Sequence, residues 1–559
     1  MPKMTGGRFI AETVHGYGIS HVFFVPYIAP RALMEMENLG IKRVQTHGEK
    51  AAAYMADGYA RIRRGPGLCM AQSVGAFNLA AGLQDAHLAH SPVVAITGRQ
   101  TQINQHRHAY QEVDHVRPFD AVTKYNVLID DLEQLPLFLR QAFREATTAT
   151  PGPVHLDLDG FVGQGIADRE ADLEVFIEES FAGLPPFRPE PESPRIREAI
   201  RLLQEAERPV VVAGGGVTAS DAGAELVELA EEFNLPVATS LNAKEQFPHD
   251  HPLGVGVCGQ YSRACANRAV AEADLVFFIG CGAGGMVTNE YKIPVPGTRV
   301  LQLDIDAAEL GRNFPLTLGL QGDAKASLRK IVDHAVPTRE RTAWIGHIQE
   351  LVRDWRERVA PLIESEREPM MPQRLCGELT EYLPSDAILV SDTGHSGIWT
   401  GAMVDLKYPQ QRYIRCAGSL GWGLPAAIGA KAAAPDRPVL CFTGDGGIWW
   451  HIAELESALK AGIDTVTVVN NNHSLNQEQG GVEAIYGGRT SGSDELWLFP
   501  DADFARIAES MGCFGATVHR PGELASALDQ AFAAGRPAVV DVKTHVEGIA
   551  PKAWEPPHE

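Results

Sequence analysis

The chain reads as an α/β protein of three consecutive doubly wound parallel-sheet domains. Three observations carry the fold reading. Short continuous apolar runs rich in β-branched residues recur along the whole length, stretches of helical periodicity separate them, and two proline-dense segments cut the chain into blocks of similar size. The composition allows it. The 559 residues are 45% hydrophobic and 21% charged, enough for several packed cores and unlike a disordered, collagen-like or coiled-coil chain.

In the first block, 1–183, the runs Val93–Thr97 and Val154–Leu158 alternate with Ala-rich helical stretches. The segment Leu184–Pro194 then packs proline at a density that no helix or central strand tolerates, so it reads as a linker. In the second block, 195–340, Pro209–Ala213, Leu275–Ile279 and Val300–Asp304 read as strands. Two glycine loops follow strands there, Gly214-Gly215-Gly216 and Gly280-Cys281-Gly282-Ala283-Gly284-Gly285. The second satisfies GxGxxG, but any doubly wound sheet uses glycine at the carboxyl ends of its strands. Structural turns are the preferred reading, with FAD or another nucleotide as the alternative. A second linker is expected near Arg358–Pro372, where charges mix with Pro361, Pro369 and Pro372. The third block, 370–559, carries the runs Ala387–Ser391, Val439–Thr443 and Thr465–Val469. No short-period repeat is visible.

Charge and cysteine usage narrow the function classes. Lys plus Arg number 49 against 71 Asp plus Glu, a net charge of −22 that argues against a nucleic-acid or anionic-membrane surface. The 8 cysteines are scattered with no CxxC pair, which suits buried thiols in a reducing cytosol better than a disulfide framework or zinc site. Met1–Ser20 carries Lys3, Arg8 and Glu12 and lacks the apolar core of a signal peptide. The longest uncharged runs, such as Gly418–Ala430, are broken by glycine and proline. A cytoplasmic protein without a membrane span is expected.

The third block holds the most specific chemistry. Gly444-Asp445-Gly446-Gly447 closes a strand, a helix from about His451 to Ala461 should stop at Gly462, and the next strand runs into Asn470-Asn471-Asn472. Asp445 offers a hard anionic oxygen, Asn472 a neutral carbonyl oxygen, and Ser474 a backbone carbonyl. Together they make the protein's share of an octahedral Mg²⁺ site with room for phosphate oxygens. Gly446 and Gly447 let backbone N–H groups meet a phosphate. The bland alternative is a tight turn followed by an Asn-rich loop. Trp449 and Trp450, at a helix start, are expected to be packing residues.

Gly444-Asp445-Gly446 followed by Asn471-Asn472 resembles the motif of the thiamine-diphosphate-dependent enzymes. The rest of the chain agrees: His47–Arg61, Tyr110-Gln111-Glu112 with Val122–Lys124, and Gly418–Gly429 are similar to further landmarks of that superfamily, in its order of pyrimidine, middle and diphosphate domains. Among its branches, the chain looks most like acetolactate synthases, benzaldehyde lyases and pyruvate oxidases. The resemblance implies that Glu49 is the carboxyl group activating the aminopyrimidine. It implies that Gly418 offers a carbonyl to the exocyclic amine and that Leu420 wedges the cofactor into its bent shape. Gly394, His395, Ser396, Gly444, Asp445, Gly446, Gly447 and Asn472 would bind the cofactor's diphosphate side, with the metal on Asp445, Asn472 and Ser474. Gln111 would face substrate, and Leu475 and Gln477 would wall its pocket.

Departures from the family pattern bear on substrate. Tyr27-Ile28-Ala29 stands where relatives often have a small Gly-Gly-Ala segment, and His47-Gly48-Glu49 replaces the usual Arg-His-Glu-like lead-in. The tryptophan common in acetolactate synthases is not evident; Gly480 and Gly481 occupy that area. The implied activity is decarboxylation of a 2-oxo acid and ligation of the acyl carbanion to an aldehyde or ketone. A simple decarboxylase, an aldehyde or 2-hydroxyacyl-CoA lyase and a flavin-coupled oxidase are the alternatives on the same cofactor. A nicotinamide dehydrogenase built on the middle-block glycines and a catalytically silent binding paralogue are the rivals from other classes. Since Glu49 and Asp445 come from different subunits in this superfamily, a homodimer at minimum is implied, and a homotetramer is expected.

Overall fold

Continuous apolar runs such as Leu275–Ile279, buried at every position, are too short for helices and become central strands of parallel sheets. The computed structural model describes residues 2–335 and 340–557. The outermost ends of the first and third expected domains, and 336–339 near the end of the second, lie outside the described residues.

β1 (Lys3–Thr5) pairs antiparallel with β8 (Glu170–Asp172) beside the first parallel sheet. That sheet consists of β2 (His21–Phe24), β3 (Lys42–Gln45), β4 (Gly67–Gln72), β5 (Val93–Arg99), β6 (Tyr125–Ile129) and β7 (Val154–Asp159), in the order β3-β2-β4-β5-β7-β6. The second holds β9 (Pro209–Ala213), β10 (Val237–Thr239), β11 (Gly254–Val257), β12 (Leu275–Ile279), β13 (Arg299–Asp304) and β14 (Leu318–Gln321), in the order β11-β10-β9-β12-β13-β14. The third holds β15 (Ile388–Ser391), β16 (Arg412–Arg415), β17 (Val439–Gly444), β18 (Val466–Asn471), β19 (Phe514–Val518) and β20 (Ala538–Lys543), in the order β16-β15-β17-β18-β20-β19.

The first and third sheets therefore share one topology: second strand, first, third, fourth, sixth, fifth. The middle sheet has instead the order typical of dinucleotide-binding folds. Each six-stranded sheet reverses its winding between β2 and β4, β9 and β12, or β15 and β17, and the first and third step back once more at the far edge, where the sixth strand inserts beside the fourth. At the first of these reversals loops diverge and leave a crevice beyond the carboxyl ends of the strands.

Alternation along the third sheet joins the three domains. Val469 and Val539 point into a core shared with the first domain, whereas Val466, Val468, Val540 and Val542 point into a core shared with the middle one. The Glu49–Arg63 helix of the first domain crosses the Gly423–Ala433 helix of the third at two glycines. A methyl group on Gly58 would collide with the carbonyl of Ala426, and one on Gly429 with the carbonyl of Met55. This close approach brings the two domains into backbone contact.

Three expectations are corrected. The second linker is shorter than Arg358–Pro372, because the Thr342–Ile363 helix runs through Pro361. The proline falls in the last turn, where its missing N–H costs a single helical bond just before the helix ends. Trp449 and Trp450 are not packed away: they are 45% and 59% exposed. Trp449 meets Phe504 edge-on at 5.0 Å between ring centroids, and Trp450 lies under the Lys50 ammonium. They sit in the turn between Asp445–Ile448 and the Glu454–Ala461 helix, so the regular helix begins later than His451; it does stop at Gly462, whose φ of 67° suits glycine.

Candidate active site

The crevice of the third sheet lies between β15 and β17. The chain leaves β15 as Asp392-Thr393-Gly394 and leaves β17 as Asp445-Gly446-Gly447. Asp392, buried, ties the two exits together. Its Oδ1 accepts the N–H groups of Thr393 (2.8 Å) and Gly421 (3.1 Å), and its Oδ2 accepts the N–H of Gly423 (3.2 Å) and the hydroxyl of Thr443 (3.0 Å). Burial raises its pKa to about 6. Sequence reasoning passed over Asp392; its place between a strand end and Gly394 was the available signal.

Asp445 is buried and accepts the N–H groups of Gly446 (2.8 Å) and Ser474 (2.9 Å). Those of Asn472 and His473 also face it. Burial outweighs these donors and raises its pKa to about 7. No cationic side chain pairs with it among the described residues. Asn470 and Asn471 are engaged elsewhere, Asn470 with Thr544 (2.6 Å) and Asn471 with Asp541 (2.8 Å). Asn472 takes only the Ser474 hydroxyl on its Oδ1, at 2.7 Å. The strand pairing of β17 with β18 thus gathers Asp445, Asn472 and Ser474, the three residues expected to hold a metal.

Across the crevice, Gly394 has φ 67° and ψ −146°, a backbone conformation open essentially to glycine alone, and it begins the His395–Ala402 helix. Ser396 Oγ lies beside Gly444, Leu475 covers Gly446, and the Gln477 amide oxygen reaches Gly394. Gly394, Ser396, Gly444, Gly446, Leu475 and Gln477 therefore share one crevice. Burial lowers the His395 pKa to about 4, so its ring is neutral at neutral pH. The far end of that helix is held by the middle domain: the Lys244 ammonium donates to the carbonyls of Thr400 (2.8 Å), Gly401 (2.7 Å) and Val404 (2.5 Å).

The first sheet presents its own crevice between β2 and β4. Glu49 opens a helix whose N-terminus favours its negative charge. It is half-buried, accepts a hydrogen bond from Asn78 (3.1 Å) and lies against Gly75, where a Cβ would strike its carboxyl group. Gln111 joins the same crevice: its carbonyl accepts the Ser73 hydroxyl, and its buried Oε1 has no hydrogen-bond partner. Of the segment expected to reshape the pocket, only Tyr27 is open; Ile28 and Ala29 are fully buried in the domain core.

Contacts across the domains place Glu49 relative to the third sheet. The backbone N–H of His47 donates to the buried Glu454 carboxylate at 3.1 Å, and the His47 ring meets Glu456 at 2.8 Å. Gly418 and Leu420 sit on the loop between β16 and the Gly423–Ala433 helix. Gly418 is exposed, with nothing within 4 Å of where its Cβ would stand, and Leu420 is half-buried. In the middle domain, by contrast, the two glycine loops occupy each other: side chains on Gly214 or Gly216 would collide with Gly280. Loop-to-loop packing accounts for Gly214, Gly216 and Gly280, whereas Gly284 has nothing within 4 Å of where its Cβ would stand.

The donor set suits a hard divalent cation carrying a diphosphate. It combines one carboxylate without a counter-charge, one amide oxygen, a backbone turn and strand-end N–H groups. Among the described residues no three His, Cys, Asp or Glu side chains gather as a metal cluster, so the soft or imidazole-rich chemistry of zinc or iron finds no such site there. Nor is any helix long and apolar enough to cross a membrane.

Comparison with known proteins agrees with this geometry. Three family models match in order: the thiamine pyrophosphate enzyme N-terminal TPP binding domain over 4–117, the central domain over 196–331 and the C-terminal TPP binding domain over 392–542. The chain is 33% identical over 552 residues to the probable acetolactate synthase large subunit of Methanocaldococcus jannaschii, covering 96% of this chain and 92% of that protein. It is 30% identical over 558 residues to the acetolactate synthase isozyme 1 large subunit of Escherichia coli K12, covering 98% and 95%. The acetolactate synthase large subunit of Corynebacterium glutamicum is also 30% identical, with 96% and 86% covered.

Proposed function

Because the chain belongs to the thiamine pyrophosphate enzymes, we propose that it decarboxylates a 2-oxo acid and ligates the acyl unit to a second carbonyl compound, as an acetolactate synthase-like carboligase. The observation that carries the reading is the buried Asp445 carboxylate, gathered with Asn472 and Ser474 at the switch point of the third sheet.

Thiamine diphosphate, when bound, would supply a thiazolium carbon acid and an electron sink for decarboxylation of a 2-oxo acid. The chain's residues do the rest. Asp445, Asn472 and the Ser474 carbonyl would hold Mg²⁺, and the N–H groups of Gly444 and Gly447 would meet the diphosphate with Gly394, His395 and Ser396. The Gly446 N–H stays on Asp445, and that residue's lack of a side chain leaves room for the phosphate. Gly418 would offer its carbonyl to the exocyclic amine, and Leu420 would support the cofactor. The Glu49 carboxyl group would hold a proton against the ring nitrogen of the pyrimidine and so promote proton removal from the thiazolium. The unpartnered Gln111 Oε1 orients substrate by hydrogen bonding. Tyr27, Leu475 and Gln477 form the walls, excluding water around a carboxylate that must lose CO₂.

The active unit is at least a homodimer, and a homotetramer is the natural larger assembly. Glu49 is flanked by the exposed apolar residues Val74 and Phe77, and the region beyond Asp445 by Trp449, Trp450 and Ile485. A second copy that covers both patches would bring one chain's Glu49 to the other's crevice. No nucleotide is assigned to the middle domain. The test is incubation with Mg²⁺, thiamine diphosphate and a panel of 2-oxo acids and aldehydes, with products read by mass spectrometry. Release of CO₂ together with a ligated hydroxyketone product supports the reading. CO₂ with free aldehyde alone, or an inert panel, contradicts it.

A further inference from the structure

The loop that carries Gly418 and Leu420 belongs to the third domain, yet the group that shapes it comes from the first. Asp85, fully buried in the Gly75–Leu88 helix, receives three successive backbone N–H groups of that loop. Its Oδ1 accepts Ala417 N–H at 2.8 Å; its Oδ2 accepts Gly418 N–H and Ser419 N–H, each at 3.0 Å. The Cys416 thiol adds a fourth donor at 3.2 Å. Consecutive N–H groups turned toward one point form a concave anion nest, and the carbonyls between them turn away from it. Here the anion is a side chain of the protein itself, and the outward face is the exposed Gly418.

The charge balance shows why a carboxylate is needed. Arg61 lies between Asp57 and Asp85, bonded to Asp57 at 2.7 and 2.8 Å and to Asp85 at 3.3 Å, with its guanidinium 4.7 Å from the Trp422 ring centroid. One buried cation thus serves two buried anions. Asp57 takes the closer pairing and the Trp422 indole N–H at 2.9 Å. Asp85 has the longer contact with Arg61, and the loop N–H groups supply the rest of its stabilisation through charge-assisted hydrogen bonds.

We propose that Asp85 is a positioning residue for the cofactor: it preforms the 416–420 loop so that the Gly418 carbonyl and Leu420 face the pyrimidine half. This rests on the thiamine-diphosphate reading above. Asp85 touches neither cofactor nor substrate and acts through the loop. Asp57 is the internal comparison, since it belongs to the same buried ion cluster but receives no loop N–H.

The experiment is calorimetric titration of the full-length protein in Mg²⁺ with thiamine diphosphate and, separately, with inorganic pyrophosphate. In Asp85→Asn, an amide N–H₂ replaces one acceptor oxygen and faces donors. Its dissociation constant for thiamine diphosphate should rise about tenfold or more, with pyrophosphate affinity unchanged. Asp57→Asn should leave both affinities near wild type. An Asp85→Asn protein that binds thiamine diphosphate like wild type, or that loses both ligands equally, overturns the proposal. Hydrogen–deuterium exchange on cofactor-free wild type decides the matter even where Asp85→Asn does not fold. Amides 417–419 should be protected before any cofactor is added, and exchange at the rate of an open loop overturns the proposal. A wild type that binds pyrophosphate but no thiamine diphosphate would instead count against the functional reading, leaving the amide exchange to decide the role of Asp85.

Discussion

The backbone N–H of Ser474 donates to the Asp445 carboxylate at 2.9 Å, joining the turn after β18 to the exit of β17. The pairing of those strands brings together two loops that are distant in sequence. The resulting acceptor is a buried carboxylate whose only partners among the described residues are neutral donors.

Replacing Asp445 by Asn keeps the shape and removes the charge that a divalent ion requires. Asp445→Asn should bind thiamine diphosphate in Mg²⁺ more weakly, on the order of 100-fold, while the far-UV circular dichroism stays that of wild type. Titration calorimetry checks this; unchanged Mg²⁺-dependent affinity would remove Asp445 from the metal site.

Lys244 predicts a pH effect on stability. Burial, reinforced by the nearby Arg263, lowers its pKa to about 7, against 10.5 for an ordinary lysine. Between those values the unfolded chain holds one more proton than the folded chain. Wild type should therefore gain stability relative to Lys244→Met as pH rises from about 7 toward 10, by at most about 1.4 kcal/mol per pH unit. Below pH 7 both states hold the proton and the difference becomes flat. Thermal unfolding of both proteins at pH 6, 7, 8 and 9 measures it.

The crossing at Gly58 and Gly429 leaves no room for a methyl group on either helix. Gly429→Ala should destabilise the protein by about 1–3 kcal/mol through overpacking, although alanine is the better helix former. A lowered unfolding temperature is the expected result. A raised one would mean that the helices can separate without cost.

Much of the fold was legible because the requirement for a buried strand is crude: several apolar, β-branched residues in a row satisfy it, as at Leu275–Ile279. The common topology of the first and third sheets was not. Strand order leaves no mark on which apolar residue fills which position, so no repeat was visible in the sequence. At the site, the convergence of Asp445 and Asn472 could be read because both stand at the ends of strands that pair in parallel. Asp85 and Lys244 could not, since most of their partners are backbone groups that every residue carries, and Asp392 had only its place between a strand end and Gly394 to mark it. Ile28 and Ala29 follow strand β2 as expected of a crevice segment, but that both side chains are buried could not be read from their types. Trp449 and Trp450 look like core residues by type and lie on the surface of the single chain.

The central claim is that the Glu49 carboxyl group drives proton removal from the cofactor. Its most direct test is deuterium exchange at the thiazolium C2 of bound thiamine diphosphate, followed by NMR after rapid quenching, in wild type and Glu49→Gln. With cofactor affinity kept within a few fold, the exchange rate should fall by about 100-fold or more in Glu49→Gln. Exchange at the wild-type rate in that variant would contradict the account.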